Sequence, residues 1–189
     1  KIILEYSKKI PNNKDYSELT VVEEIVANSY DAGAKMVLVV VNPQSNTIEI
    51  LDDGEGFNQE TIRHVVELGG GTKHTNVFHS SSSRHYLGAY GFGLKSSLNI
   101  CDKTVIYSLS GNEQIEATID WSRLSEALED KDVWPVNMSK AKNRKTGTSV
   151  LLKLKNPLDV AKVEELTSVL ANLPAEDFEI AVCDVAKTQ

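Results

Sequence analysis

Eight of the eleven glycines in this chain (Gly54, Gly56, Gly69, Gly70, Gly71, Gly88, Gly91 and Gly93) fall within 40 consecutive residues. All four histidines, His64, His74, His79 and His85, sit in the same stretch. The glycine total is ordinary, so the placement carries the information. Glycine reaches backbone conformations closed to other residues and permits close approach, and residues 54–93 therefore need unusual backbone.

Around that stretch the periodicities are regular. Residues 17–33 read as a helix, capped by Asp15 or Ser17, with Leu19, Val22, Val26 and Ser29 at helical spacing and Gly33 as its stop. Met36 to Val41 is a short apolar, β-branched run, a buried strand, and Thr47 to Leu51 is its hairpin partner across a turn at 42–46. A second helix is expected over 59–68, followed by a long aperiodic polar segment at 72–86 containing Ser80 to Ser83. A helix is expected from Gly93 to about Ile100. Strands at 103–109 and 113–119 flank the turn Ser110-Gly111-Asn112. Residues 121–129 and 158–172 read as helices, and 147–154 and 178–183 as strands. Helices interspersed with hairpins give an α+β class rather than regular βαβ alternation. With 189 residues and no internal repeat or boundary signal, one domain over 1–189 is expected.

Charge and cysteine content narrow the function. Lys and Arg number 20 against 27 Asp and Glu, a net charge of −7, which argues against a chain whose main surface binds nucleic acid. Cys101 and Cys183 show no CxxC spacing and read as buried thiols in a reducing compartment rather than a disulfide. The histidine spacings match no zinc pattern. No apolar run approaches the ~20 residues of a membrane span, and Ile2-Ile3-Leu4 is too short for a signal core. The start at Lys1 and the end just after an apolar stretch suggest the N-terminal fragment of a longer protein.

Four constellations could carry chemistry. Glu24, Asn28 and Asp31, at i, i+4 and i+7, point within about 60° of one another on the first helix. They form either a solvated face or a set of oxygen ligands able to orient a water and hold Mg²⁺. Asp52-Asp53-Gly54-Glu55-Gly56 ends a strand. It reads as a turn, or as a carboxylate accepting a hydrogen bond from a ligand amine, with Gly54 and Gly56 letting backbone approach a flat ring. An EF-hand loop is excluded by the missing Asp frame and the missing closing Glu. Gly88-Ala89-Tyr90-Gly91-Phe92-Gly93-Leu94-Lys95-Ser96-Ser97 nearly fits G-x-x-x-x-G-K-[ST], but Leu94 intervenes before Lys95. It is a glycine-rich turn opening a helix, suited either to packing or to a phosphate. Lys145-Thr146-Gly147-Thr148-Ser149, taken alone, is a hairpin end leading into strand 150–154.

Glu24-x-x-x-Asn28-x-x-Asp31-Ala32, Asp52-x-Gly54-x-Gly56, Gly88-x-Tyr90-Gly91-x-Gly93 and Gly147-Thr148 occur in one order, over about 24–154. That order resembles the GHKL ATPase superfamily of DNA gyrase, the ninety-kilodalton heat-shock chaperones, sensor histidine kinases, MutL and MORC proteins. The resemblance implies a Bergerat fold, a two-layer sandwich of a mixed, mostly antiparallel sheet with helices on one face and a flexible ATP lid, here about 69–87. It implies an ATP-binding, Mg²⁺-dependent ATPase. Glu24 resembles the general base and Asn28 the Mg²⁺ ligand, with Asp31 supporting that site. Asp52 resembles the carboxylate that reads the adenine amino group, with Gly54 and Gly56 beside the base and Thr148 contributing, usually through water. Gly88, Tyr90, Gly91, Phe92, Gly93, Leu94 and Lys95 resemble the glycine box that donates N–H groups to the phosphates, and Thr72 and Lys73 the start of the lid.

The text Asn28-Ser29-Tyr30-Asp31-Ala32-Gly33-Ala34 and the Gly-Phe-Gly-Leu-Lys-Ser run look closer to MutL and MORC proteins than to sensor kinases, whose usual Asn-Ala-x-Lys is absent. The serine-rich lid is a departure. The resemblance further implies ATP-dependent homodimerisation in a larger protein, DNA or client-protein partners bound through other domains, and a cytoplasmic or nuclear setting. Hydrolysing relatives usually receive a phosphate-contacting lysine from a second domain, so this domain alone is expected to turn ATP over slowly. The competing readings are a nucleotide-gated DNA- or protein-binding module without significant catalysis, and a sensor histidine kinase catalytic domain, for which residues 1–16 lack a phosphoacceptor histidine.

Overall fold

The computed structural model describes residues 17–59, 61–62, 93–124, 126, 134–140, 145–158, 160–172 and 177–187. Helix α1 spans Glu18–Asp31, and Ser17 caps it by accepting the N–H of Thr20. Its far end closes with paired bonds from Gly33 N to Tyr30 O and from Ala34 N to Ser29 O, with Gly33 at φ 77°. This Schellman motif is the structural content of the Asp31-Ala32-Gly33-Ala34 text.

Strands β1 (Met36–Asn42) and β2 (Thr47–Asp52) form the expected antiparallel hairpin. A four-residue helix α2 (Gly93–Ser96) runs into a 3-10 turn at Ser97–Asn99. Strands β3 (Cys101–Ser110) and β4 (Glu113–Asp120) make the second hairpin. Strand β5 (Val136–Lys140), unforeseen in the sequence, pairs with β4, and β6 (Gly147–Leu154) pairs with both β2 and β3. Helix α3 (Val160–Ala171) carries the chain across to β7 (Glu179–Asp184). The sheet order is β5-β4-β3-β6-β2-β1-β7, antiparallel throughout except for β1 with β7. This is the mixed, mostly antiparallel α+β sheet that was expected.

Two expected helices depart from expectation, one in its length and the other in how it opens. The segment after Gly93 makes only one α turn, because Ser97 Oγ donates back to Leu94 O at 2.6 Å and competes with helical propagation. The segment at 121–129 begins as a 3-10 turn at Trp121–Arg123, fixed by Asp120 Oδ1 accepting from Ser122 N. Of the helix expected at 59–68, Gln59, Thr61 and Ile62 are helical and the remainder lies outside the described residues.

The core lies on one face of the sheet. Alternation puts Val39, Ile50, Val150, Ile106 and Ala117 in one cross-strand row, and Val41, Ile48, Leu152, Thr104 and Ile119 in the next. Val21, Val22, Ile25 and Val26 of α1 and Val163, Leu166 and Leu170 of α3 are buried with them. Buried polar groups are bonded in sequence. Trp121 Nε1 donates to Thr104 Oγ1 at 2.9 Å, and the Thr104 and Ser97 hydroxyls meet at 2.9 Å. Because Ser97 spends its proton on Leu94 O, Thr104 is the donor to Ser97, and the chain of bonds anchors α2 to β3 and β4. Cys101 and Cys183 are free thiols, Cys101 buried as expected and Cys183 only half-buried, and burial pushes the Cys101 thiol up to about 12. No helix among the described residues is long and apolar enough to cross a membrane.

Candidate nucleotide site

The row beside the core rows is polar at its centre. Val37, Asp52, Thr148, Ser108 and Ile115 follow one another across β1, β2, β6, β3 and β4. An aspartate in this position needs donors, and three elements supply them. Ser29 of α1 donates to Oδ2 at 2.8 Å, while the backbone N–H groups of Gly54 and Thr148 donate to Oδ1 at 2.9 and 3.1 Å. Burial raises the Asp52 carboxyl above the usual aspartate range, and these three bonds pull against it. With every bonded neighbour a donor, the carboxylate presents acceptor lone pairs and is suited to an amine.

The adjacent Asp53 does something else. Its Oδ1 accepts the N–H groups of Lys35 and Met36 at 2.7 and 2.9 Å and pins the start of β1. The Asp52-Asp53 pair of the sequence thus divides into a site carboxylate and a backbone brace.

The loop after Asp52 is held from two sides. Glu55 N donates to Ala32 O at the end of α1, and Phe57 N donates to Ser108 Oγ at 2.6 Å. Gly56 has φ 73°, and a Cβ there would lie 2.3 Å from Leu109 O. Gly56 therefore permits a close approach of this loop to β3. A Cβ on Gly147, at φ 150°, would lie 2.3 Å from Asp52 O, so the Gly-Thr pair is needed for β6 to run against β2 at the site.

Glu24, Asn28 and Asp31 share α1, all three half-buried. Ser96, buried on α2, donates to Glu24 Oε2 at 3.4 Å. Partial burial raises the Glu24 carboxyl, the Ser96 bond lowers it, and the neighbouring Glu23 charge raises it. These oxygens, carboxylate and carboxamide on one stripe, have the hard-donor chemistry that suits Mg²⁺. Gly93, Leu94 and Lys95 form the α2 turn, with Leu94 packed against the core. Thr72, Lys73, Gly88, Tyr90, Gly91 and Phe92, the four histidines and the segment 69–87, where a lid was expected, lie outside the described residues.

Sequence reasoning missed Ser29, Ser96 and Ser108. The available signal was parity. Ser108 follows Thr104 and Ile106 on the inward side of β3, where a polar residue needs a partner.

A helix serine thus holds a strand-end aspartate that pairs with the Gly-Thr end of β6. Residues 16–148 match the family described as histidine kinase-, DNA gyrase B-, and HSP90-like ATPase, and the chain belongs to that family. Among its relatives, the DNA mismatch repair protein MutL of Pseudothermotoga lettingae is 28% identical over 104 residues, which is 53% of this chain and 18% of MutL. Human DNA mismatch repair protein Mlh3 is 30% identical over 92 residues, 49% of this chain and 6% of Mlh3. The chain thus matches only a small part of either relative's length. The ATPase region of Saccharomyces cerevisiae topoisomerase II shares the fold, with a TM-score of 0.63 and 15% identity over 87% of this chain and 47% of that one. The same region bound to ICRF-187 (dexrazoxane) matches with the same TM-score.

Proposed function

We propose that this chain is an ATP-binding, Mg²⁺-dependent ATPase domain, a single unit over 1–189. Its nucleotide state would control closure of a lid over about 69–87 and dimerisation of a larger protein. The observation that carries the reading is the Asp52 carboxylate, fixed as an acceptor by Ser29, Gly54 and Thr148. An adenine amino group is the complementary donor. Family membership supports the same assignment.

In this reading Glu24 accepts a proton from the attacking water. Its raised carboxyl makes it a stronger base than an exposed glutamate, and Ser96 holds it in place. Asn28 would hold Mg²⁺, with Asp31 supporting it; the ion supplies charge neutralisation on the triphosphate. Gly54 and Gly56 shape the base loop. Backbone N–H groups over Gly88, Tyr90, Gly91, Phe92, Gly93, Leu94 and Lys95 would cradle the phosphates, and Thr72 and Lys73 would open the lid. The mismatch-repair relatives support a MutL-like branch, while the MORC likeness rests on motif text alone. DNA or client-protein partners and a cytoplasmic or nuclear setting belong to the same proposal.

Calorimetric titration with ATP tests it. The unaltered chain binds and Asp52→Ala binds at least about 100-fold more weakly; equal affinities overturn the reading. In the full-length protein, Glu24→Ala keeps binding and loses turnover, and surviving turnover removes Glu24 as the base.

A further inference from the structure

The polar row does not stop at Thr148. One strand further lies Ser108, 2% exposed, which has no part in the function proposed above. Its hydroxyl oxygen has three neighbours: Phe57 N at 2.6 Å, Gly147 O at 3.3 Å and Thr148 Oγ1 at 3.4 Å. A serine hydroxyl has one proton and two lone pairs. Phe57 N–H fills one lone pair, and the proton has two possible acceptors.

When Ser108 donates to Gly147 O, its second lone pair is open to the Thr148 proton, and Thr148 meets a ligand as an acceptor. When Ser108 donates to Thr148 Oγ1, the Thr148 proton is turned away from Ser108, and Thr148 meets a ligand as a donor. Asp52 offers no such choice, since Ser29, Gly54 and Thr148 N all donate to it. A purine that presents an amine to Asp52 carries a ring-nitrogen acceptor next to it. That ligand selects the second arrangement.

We propose that Ser108 is a specificity-positioning residue, whose hydroxyl donates to Thr148 Oγ1 and aims the Thr148 proton at the ring nitrogen beside the purine amine, directly or through one water. Asp52 as acceptor and Thr148 as donor then read the two adjacent positions of an adenine edge. A guanine edge presents the opposite order and meets an acceptor with an acceptor. Donation from Ser108 both fixes the Thr148 hydroxyl and polarises it, since linked hydrogen bonds in a shielded site strengthen one another. The inference rests on the ATP-binding reading.

The test compares ATP with 1-deaza-ATP, in which the ring nitrogen is replaced by C–H, by calorimetric titration of the purified chain. The unaltered chain prefers ATP by about tenfold, the range of one net hydrogen bond. Ser108→Ala reduces that preference by about three- to tenfold while 1-deaza-ATP affinity holds. A merely structural role for Ser108 weakens both nucleotides equally and leaves the preference intact; that result overturns the proposal. Thr148→Val erases the preference, and adding Ser108→Ala to it changes the ratio no further. Independent effects of the two substitutions also overturn it. Ser108→Cys, close in volume and a weak donor, serves where the alanine variant does not fold, and gives an intermediate ratio. An unaltered chain that binds no ATP defeats the function proposed above and this inference together. Asp52-dependent ATP binding with an unchanged ratio in the Ser108 variants defeats the Ser108 role alone.

Discussion

The two carboxylates of the site are built to different standards. Asp52 is gripped by a helix hydroxyl and two backbone N–H groups at 2.8 to 3.1 Å, donors drawn from α1, its own loop and β6. Glu24, on the same helix as Ser29, meets Ser96 at 3.4 Å. The carboxylate proposed to read the base is bonded from three elements, whereas the one proposed as the catalytic base is held by a longer, weaker bond from a one-turn helix. Recognition profits from rigidity, since an ordered acceptor loses little entropy on binding. A base that must follow a proton profits from slack.

That contrast can be broken most severely at Gly147. Gly147→Ala places a methyl against Asp52 O, where the gap is only 2.3 Å, and forces β6 from β2. The expected cost is about 3 kcal/mol or more in urea unfolding, with loss of nucleotide binding.

Ser29→Ala sharpens the contrast by loosening the base end to the standard of the catalytic end. It removes one of three donors and should cost about 1–2 kcal/mol at neutral pH. The pH dependence has a definite sign. The Asp52 carboxyl lies above its unfolded value, so the folded state holds the proton more tightly and loses stability as pH rises through that window. Ser29 lowers the carboxyl, so its removal widens the window upward. The variant's deficit in urea unfolding is therefore larger at pH 8 than at pH 4; a deficit that shrinks with pH contradicts the assignment.

The smallest expected effect is at the catalytic end. Ser96→Ala removes the bond that lowers the Glu24 carboxyl. In the full-length protein the acidic limb of kcat should move to higher pH by a fraction of a unit, with stability within about 1 kcal/mol of the parent and ATP affinity unchanged. A limb that stays in place shows that Ser96 does not reach Glu24 in the working enzyme.

Much of this architecture is legible in residue order. The α1 stripe, its Ser17 cap, its Gly33 stop and both hairpins follow from local periodicity and turn chemistry, because each is settled within about twenty residues. Strand β5 escaped because only Val136 among its five residues is even half-buried, which leaves no alternation to read. Asp52 and Thr148 were nameable from motif text, but Ser29, Ser96 and Ser108 were not. A serine in a helix or strand reads as solvated until register shows what lies opposite. Ser108 and Thr148 stand 40 positions apart and become neighbours only through the β3–β6 pairing. The Asp53 brace was hidden for the same reason, since its partners belong to the preceding strand.

The β2–β6 register also sets a timetable. Asp52 and Thr148 lie 96 positions apart, while each hairpin closes over a handful of residues. Distant pairings come late, because the entropy of closing a long loop must be overcome before the contact rewards it. The hairpins form early and the Asp52 carboxylate acquires its Thr148 donor late. If the proposed function holds, the emerging polypeptide is blind to nucleotide until β6 has left the ribosome and annealed between β2 and β3. On the proposed function, ligand capture then waits for the strand that joins the two hairpins into one sheet.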